Sequence, residues 1–339
     1  MTSINTNSSA IAALATLRTI NAGLATTQSH VSSGYRIDKA SDNAAYWSIA
    51  TTMRSDDKAL SAVQDAMGMG AAKVDVAYTG MQSAIDVVTE IKAKLVAATE
   101  NGVDKTKINE EITQLKSQLR SIASSASFNG ENWLQYGAND DPPAIGDAEL
   151  VGSFVRGSNG AVSVQTITYD RVNLAPGPGM RRGSALIDDS SLTHGQFGIL
   201  SSDVYAYNAG APVGYLLIKG SGSGTKYSSP PALAQVEIGL TATTTNKDIK
   251  DMLNVVEGML QDMIGAASSM GSVSKRIDIQ GDFVSNLRDS VQSGIGRLVD
   301  ANMEEESSRL SALQTQQQLG VQSLSIANGN AQNLLTLFR

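Results

Sequence analysis

Glu304, Glu305 and Glu306 form the only run of three consecutive acidic residues in the sequence, and carboxylates are the side chains that bind hard cations or exchange protons in catalysis. A zinc or iron site would add histidine or cysteine. The chain has no cysteine and two histidines, His30 and His194, and neither is near the run in the sequence. We therefore interpret the run as a solvated or salt-bridging face of a helix and predict no metal site.

Other residues that could bind a cofactor or take part in catalysis also have structural interpretations. The segment from Gly220 to Gly224 does not match a dinucleotide-binding fingerprint, and no Gly-Lys-Ser or Gly-Lys-Thr follows it as in a phosphate loop, so we predict a surface loop. His194 is not part of the His-Glu-x-x-His helix of a zinc protease. For His30 we expect a packed or hydrogen-bonded imidazole. We predict no catalytic residue, no cofactor and no enzyme.

The composition excludes two further classes of function. The 339 residues carry a net charge of -7, whereas a nucleic-acid-binding protein presents a clustered basic surface. No apolar run is long enough to span a membrane, and we expect no membrane insertion. The sequence starts without the basic and apolar segments of a signal peptide, so export by the general secretory route is not expected.

The two ends of the chain are poor in charge and have apolar residues about every 3.5 positions, the spacing of a coiled-coil seam. There is no charged residue between Arg309 and Arg339, and up to Tyr35 the only one is Arg18. The predicted buried seam contains Leu14, Leu17, Ile20, Leu24, Val31, Leu310, Leu313, Leu324, Leu334 and Phe338, and it also passes through Glu306. Gln, Asn, Ser and Thr occupy the other faces, which predicts burial on several sides because unpaired charges are costly to bury.

The segments next to these ends also predict helices. Ile108, Ile112 and Leu119 repeat at helical spacing after a predicted helix start at Asp104. The sequence Ser127-Phe128-Asn129-Gly130 predicts a tight turn. From a capping-box-like signature at residues 245–248, the pattern predicts one very long helix with a bend before Ala301.

The middle of the chain differs, since all seven prolines lie between Pro142 and Pro231. Apolar residues alternate with other residues from Ala234 to Leu240, which is the period of a strand. Asn159-Gly160 predicts a hairpin turn, and residues 214–218 a more buried strand. The predicted fold class is mostly α, with long terminal helices in a coiled-coil or helical bundle and a β-rich central insertion.

Two segments resemble the signatures of a known family. Residues 32–50, SSGYRIDKASDNAAYWSIA, are similar to the N-terminal signature of bacterial flagellins, and residues 303–328 to the C-terminal one. The turn at residues 127–130 also matches the family. The resemblance covers roughly residues 1 to 135 and 250 to 339, and it is closest to the branch found in root-associated bacteria.

This resemblance implies a subunit that self-assembles into the flagellar filament for swimming, with both terminal helices forming its core. It implies inner core helices in residues 1–44 with 300–339, an outer helical domain in residues 45–137 with 246–299, and a β-rich, surface-exposed variable domain in residues 138–245. The signature residues with a possible role in subunit contacts are Arg36, Ile37, Asp42, Asn43, Tyr46 and Trp47.

The implied partners are other flagellin subunits, in a homopolymer or mixed with sister flagellins, a flagellar export chaperone, and cap and junction proteins. Export through the flagellar type III apparatus would place the protein in the extracellular filament. The alternatives are a hook-filament junction protein, which forms a single ring, and a secreted coiled-coil effector, which would not polymerise. An enzyme within the insertion is a third alternative.

The sequence departs from the family after Asp42-Asn43-Ala44-Ala45, where Tyr46 and Trp47 replace small or aliphatic residues. We expect this change to alter packing between neighbouring subunits. The alternative is loss of recognition by the plant flagellin receptor, which reads this segment.

Overall fold

The computed structural model describes residues 7–136, 147–171, 185–188, 198–201, 204–208, 211–219 and 235–337. Within them, the chain forms five helices that account for most of the described residues. They are α1 (Ser8–Ser33), α2 (Ala44–Ala97), α3 (Lys105–Ser125), α4 (Asn246–Val299) and α5 (Met303–Leu337). The prediction of a mostly α fold with long terminal helices around a strand-containing middle is confirmed.

In the described part of the chain between α3 and α4 there are nine strands. They are β1 (Ser127–Phe128), β2 (Glu131–Asn132), β3 (Gln135–Tyr136), β4 (Ala148–Arg156), β5 (Val162–Tyr169), β6 (Ile187–Asp188), β7 (Val204–Asn208), β8 (Ala211–Leu216) and β9 (Gln235–Glu237). Antiparallel pairs join β1 to β2, β4 to β5 and β7 to β8, whereas β3 pairs with β6 and β8 with β9 in parallel. The strands thus form small sheets of two or three members.

Both predicted hairpin turns are confirmed. Asn129 and Gly130 have φ values of 52° and 83° between β1 and β2, so both central residues are left-handed, as a tight two-residue hairpin requires. Gly160, with φ of 81°, lies in the loop that joins β4 to β5. Three other predictions concern residues outside the described part of the chain: the absence of a protease helix at His194, the strand start at Ala234 and the surface loop at residues 220–224.

The predicted helix starts are also confirmed, because their caps are local. The Asp104 carboxylate accepts a hydrogen bond from the Thr106 N–H at 3.0 Å ahead of α3. Before α4, the Thr245 hydroxyl accepts from the Asp248 N–H at 3.3 Å while the Asp248 carboxylate accepts from the Thr245 N–H at 3.0 Å. The hydrogen bonds from the side chain and backbone of Thr245 lower the pKa of Asp248.

The predicted very long helix is present as α4, but the predicted bend before Ala301 is wrong, because the helix is interrupted there. α4 ends at Val299, and the Asn302 side chain accepts a hydrogen bond from the Glu304 N–H at 3.2 Å, which caps a new helix. The Ala301 N–H donates instead to the Gly34 carbonyl at 2.9 Å. A partner distant in the sequence therefore interrupts the helix.

The chain divides into two compact units, residues 1–59 with 286–339 and residues 60–285. In the second unit, the core consists of fully buried side chains that recur at helical spacing on α2, α3 and α4. They include Val74, Met81, Ile91, Leu95, Ile112, Leu119, Val256, Met263 and Met270. Each such side chain contributes about 1.5–3 kcal/mol relative to an exposed one, so this unit has a core of its own.

Polar side chains of α3 hold the segment that returns from the strands to α4. Lys105 Nζ donates to the Thr244 carbonyl at 2.7 Å, and the Asn109 side chain accepts from the Leu240 N–H at 2.8 Å. The Lys116 ammonium lies 3.1 Å from a Glu237 carboxylate oxygen, and burial lowers the pKa of Lys116. These contacts fix the start of α4 next to the start of α3.

We expect Glu131 to make the stability of the second unit depend on pH. Burial disfavours the charged carboxylate, but hydrogen bonds from Lys73 Nζ at 2.6 Å and Trp133 Nε1 at 2.7 Å outweigh burial, so the pKa of Glu131 is lowered. A carboxylate with a lowered folded-state pKa stabilises the fold above its unfolded-state pKa, and this contribution is lost as the pH falls through the folded-state value. Chemical unfolding of Glu131→Gln between pH 6 and about 3 should show a smaller loss of stability in acid than the natural chain. Equal acid sensitivity would contradict this role.

Candidate assembly surface

In the first unit, α1 and α5 pack against each other in antiparallel orientation. Asn7 Nδ2, before α1, donates to the Ala327 carbonyl at 2.9 Å, whereas Gln317 Nε2 donates to the Asn21 side chain at 2.8 Å. Towards the end of α1, His30 lies beside Glu306, near the start of α5. Both ends of the chain therefore form one helix pair.

The buried positions of α5 follow the predicted seam, whereas on α1 the predicted seam residue Leu14 is exposed and Ala13 is half-buried in its place. On α5 every half-buried or buried position from Glu306 to Ala327 falls on the predicted register. Seven of the predicted seam residues are half-buried: Leu17, Ile20, Leu24, Val31, Leu310, Leu313 and Leu324. Leu14 is exposed. The side chain of Leu334 and the whole of Phe338 lie outside the described part of the structure.

Two glycines allow the helices to approach closely. A Cβ on Gly320 would lie 3.0 Å from Leu17 Cδ1, and one on Gly23 would lie 3.6 Å from both methyl groups of Leu313. The apolar side chains of each helix thus pack over a glycine of the other. On Gly320 a side chain would require the Leu17 methyl group to shift by a few tenths of an ångström.

His30 and Glu306 form a contact that the sequence reading missed. His30 Nδ1 lies 3.1 Å from Glu306 Oε1, with 19% and 8% of the two side chains exposed. Glu306 Oε2 is buried and has no hydrogen-bond partner in the structure, while Arg309 Nη1 is 3.9 Å from Oε1. The expectation of a solvated or salt-bridging face therefore fits Glu304 and Glu305, which are exposed, but the solvated description is wrong for Glu306. The position of Glu306 on the apolar seam was the feature of the sequence that indicated its burial.

The two groups lie at facing helix ends. His30 is in the last turn of α1, and Glu306 is in the first turn of α5. The expectation of a hydrogen-bonded imidazole at His30 is confirmed. Together they form a polar clamp at one end of an otherwise uncharged seam.

We expect His30→Ala to weaken this pair, because it removes the hydrogen-bonding partner of the buried Glu306 carboxylate and leaves only the longer contact to Arg309 Nη1 at 3.9 Å. Leaving a buried polar group unsatisfied typically costs about 1–3 kcal/mol, and more for a charged one. Hydrogen exchange of the α1 amides should measure the loss, with Gln28→Ala, at an exposed position of the same helix, as the control. Adding Glu306→Leu to His30→Ala should restore protection. Equal effects of His30→Ala and Gln28→Ala would contradict the clamp.

The signature residues that follow α1 mostly make contacts within the chain, between the α1–α2 connection and the end of α4. The Arg36 N–H and guanidinium donate to the carbonyls of Val299 and Leu298 at 2.7 and 3.0 Å. Ile37 is buried in a cluster with Ala50, Ile295 and Val299. The backbone between α1 and α2 is thereby attached to the break between α4 and α5.

The rest of the signature shapes the start of α2. The Asp42 carboxylate accepts from the N–H groups of Lys39 and Asp38 at 3.0 and 3.1 Å, which lowers the pKa of Asp42. The Asn43 side chain caps α2 by accepting from the Tyr46 N–H at 3.2 Å. Trp47 packs against the buried cluster, whereas Tyr46 is exposed. Of the six signature residues, Tyr46 is the aromatic one left facing outward.

Comparison with known proteins assigns the chain to a family. A model of the bacterial flagellin N-terminal helical region matches residues 4–139, and one of the bacterial flagellin C-terminal helical region matches residues 253–338. The chain is 49% identical over 341 residues to Flagellin C of Rhizobium meliloti strain 1021, with all of both chains covered. This chain belongs to the bacterial flagellin family. Full-length similarity extends to Flagellin A of the same strain (48% over 400 residues) and to a flagellin of Brucella melitensis (39% over 341 residues).

Flagellins are structural proteins of the flagellar filament, so family membership confirms the predicted function class and the prediction that the chain is not an enzyme. Among the described residues, no three His, Cys, Asp or Glu side chains are grouped as a metal site would need. In the same part of the chain, no helix combines the length and hydropathy needed to cross a bilayer. Polymerisation with other flagellin subunits is the interaction that the family implies.

The outward faces of α1 and α5 have the character expected of subunit contacts in flagellin. Several apolar side chains on these faces are exposed in the single chain: Ile11, Leu14, Leu319, Val321 and Ile326. Between Arg309 and the end of the helix, their neighbours are uncharged. One chain therefore buries only the seam of this pair, and the faces that lack charge lie open.

Proposed function

We propose that this flagellin polymerises through the α1·α5 pair into the core of an extracellular filament that transmits motor rotation as thrust. One observation carries the proposal. The pair buries a single seam within one chain while its other faces combine exposed apolar side chains with uncharged polar ones. Such faces gain stability when further helices cover them.

Physical magnitudes favour assembly over a stable isolated pair. Helices with one apolar seam are marginal in water, because propensity and a single contact give little net stability. Burying an exposed Leu or Ile against a neighbour contributes about 1.5–3 kcal/mol, and no charge between Arg309 and the end of α5 has to be desolvated. Each subunit added to a polymer therefore repeats the same gain.

The assembly core in this proposal consists of Leu14, which is exposed on the outward face, and the predicted seam residues Leu17, Ile20, Leu24, Val31, Leu310, Leu313, Leu324, Leu334 and Phe338. Residues 1–44 with 300–339 are the inner core, residues 45–137 with 246–299 the outer helical domain, and residues 138–245 the surface. Tyr46, which is exposed, extends the subunit contacts beyond the inner core.

The proposed partners besides sister subunits are an export chaperone, which holds the C-terminal helix before export, and cap and junction proteins. Export through the flagellar type III apparatus places the subunit outside the cell. The compared relatives match this chain over their full length and are named flagellin. This favours a filament subunit over a hook-filament junction protein.

Electron microscopy of filaments sheared from cells that make this chain as their only flagellin tests the proposal. We expect long filaments whose subunit, identified by mass spectrometry, is this chain. Recovery of the chain solely as a soluble monomer in the medium would overturn the proposal. Its restriction to one site at the filament base would support the junction alternative.

A further inference from the structure

We infer that an outer line on α5, formed by Ala312, Leu319 and Ile326, contacts a second copy of this chain in the cleft between α1 and α5. The inference rests on the proposed function and names the surfaces of one of its subunit contacts. The contact is head-to-tail, because one face of the α1·α5 pair meets a different face of the pair in the next subunit.

The outer line has the spacing of a second packing seam. Its three residues are seven positions apart, so they lie along one side of the helix. They are not on the seam that faces α1, and Leu319 and Ile326 are 59% and 67% exposed. No described side chain covers these two residues, and no charged residue lies between them. A helix face of this kind is typical of a contact with another helix.

The cleft on the same pair offers a surface of matching chemistry. It has a volume of about 430 Å³, and Ile20, Gly23 and Leu313 give it apolar lining. Thr26 and Gln316 add uncharged polar groups, and His30 and Arg309 line the end of the cleft nearest the start of α5. Because the outer line carries no charge, its burial in this cleft desolvates no ion of its own.

The positions of the two surfaces along the pair set the geometry of the contact. Leu313 packs over Gly23 in the cleft, while Ile326 lies 13 positions further along α5, or roughly 20 Å at about 1.5 Å per residue. Ile326 therefore cannot reach the cleft of its own chain. A contact between different patches of identical subunits is heterologous, and when it does not close into a ring it gives an open polymer.

Engineered cysteines test this geometry cleanly, because the natural chain has none. A Thr26→Cys, Ile326→Cys variant places one thiol in the cleft and one on the outer line. The two residues are roughly 20 Å apart within one chain, whereas a disulfide needs Cα atoms within about 7 Å. Oxidation of assembled filaments should give a ladder of covalent multimers on a denaturing gel, and oxidation of the monomer should not.

The matched control is Thr26→Cys with Ser325→Cys, which moves the second thiol one position around the exposed surface of α5. Filaments without a ladder, or with equal ladders in both variants, would overturn the inference and leave the proposed function intact. Absence of filaments from the natural chain would instead overturn the proposed function.

A second measurement does not depend on assembly of the cysteine variants. Leu319→Ser with Ile326→Ser should slow elongation from preformed filament ends by about tenfold or more, because two apolar side chains lose their cover. Val321→Ser, at an exposed apolar position off the outer line, is the control and should elongate at close to the natural rate. Equal rates for all three chains would overturn the inference.

Discussion

Leu313→Asp is expected to abolish filament formation while residues 60–285 remain folded. Leu313 packs over Gly23 at the centre of the α1·α5 seam, so a carboxylate there would be enclosed by apolar side chains once the filament surrounds the pair. An unpaired charge in such a site costs several kcal/mol in every subunit. Elongation from preformed filament ends, followed by sedimentation and electron microscopy, measures the effect. Leu324→Asp, on the same seam, should behave alike.

Leu313→Met is the matched control for this experiment. Methionine keeps the volume and apolar character of leucine, and such exchanges usually cost less than about 1.5 kcal/mol. This variant should still form filaments, and circular dichroism should show that the aspartate variant keeps the helices of residues 60–285. Normal filaments from Leu313→Asp would refute the role of this seam in assembly.

Gly80→Ala is expected to destabilise the second unit by about 1–3 kcal/mol, the usual cost of overpacking a close contact. A Cβ at position 80 would lie 2.6 Å from Leu134 Cδ1 and 2.9 Å from Ala126 Cβ. The leucine methyl can rotate away, but the alanine Cβ is fixed to the backbone after α3. The substitution therefore forces α2 away from the chain that it packs against. Urea unfolding of the monomer measures the loss.

Gly68→Ala on the same helix is its control. A Cβ there meets no atom within 4 Å, and the position is exposed. Alanine is a better helix former than glycine by roughly 0.8–1 kcal/mol, so this variant should be as stable as the natural chain or more so. If both variants changed stability alike, helix propensity rather than the contact at Gly80 would be the cause.

The features that sequence reasoning predicted are those determined by residues close together in the chain. The cap at Asp104, the capping box at Thr245 and the turn at Asn129-Gly130 each depend on groups within four positions. The seam of α5 was predictable because its spacing alone specifies the buried face. Local chemistry and periodicity were sufficient for these elements.

The features that it missed depend on distant partners. The helix break at residues 300–302 follows from the hydrogen bond between Ala301 and Gly34, and burial of Glu306 follows from the approach of His30. The helix break leaves no local pattern, and although Glu306 lies on the apolar seam, three adjacent glutamates normally indicate a solvated face. Gly294 is similar: a Cβ there would lie 3.0 Å from Met53 on another helix, a reason for glycine that helix propensity does not show.

Because α1 pairs with α5, the first residues of the chain can complete their contacts only after the last residues are present. The hydrogen bond from Asn7 to Ala327 spans 320 positions, so the helix synthesised first has its intramolecular partner only after almost the whole chain has been made. Closing so long a loop has a high entropic cost and is slow compared with local folding. While the two termini lie on opposite sides of a narrow conduit this contact cannot form, so any passage of the chain through such a conduit requires the α1·α5 pair to be open.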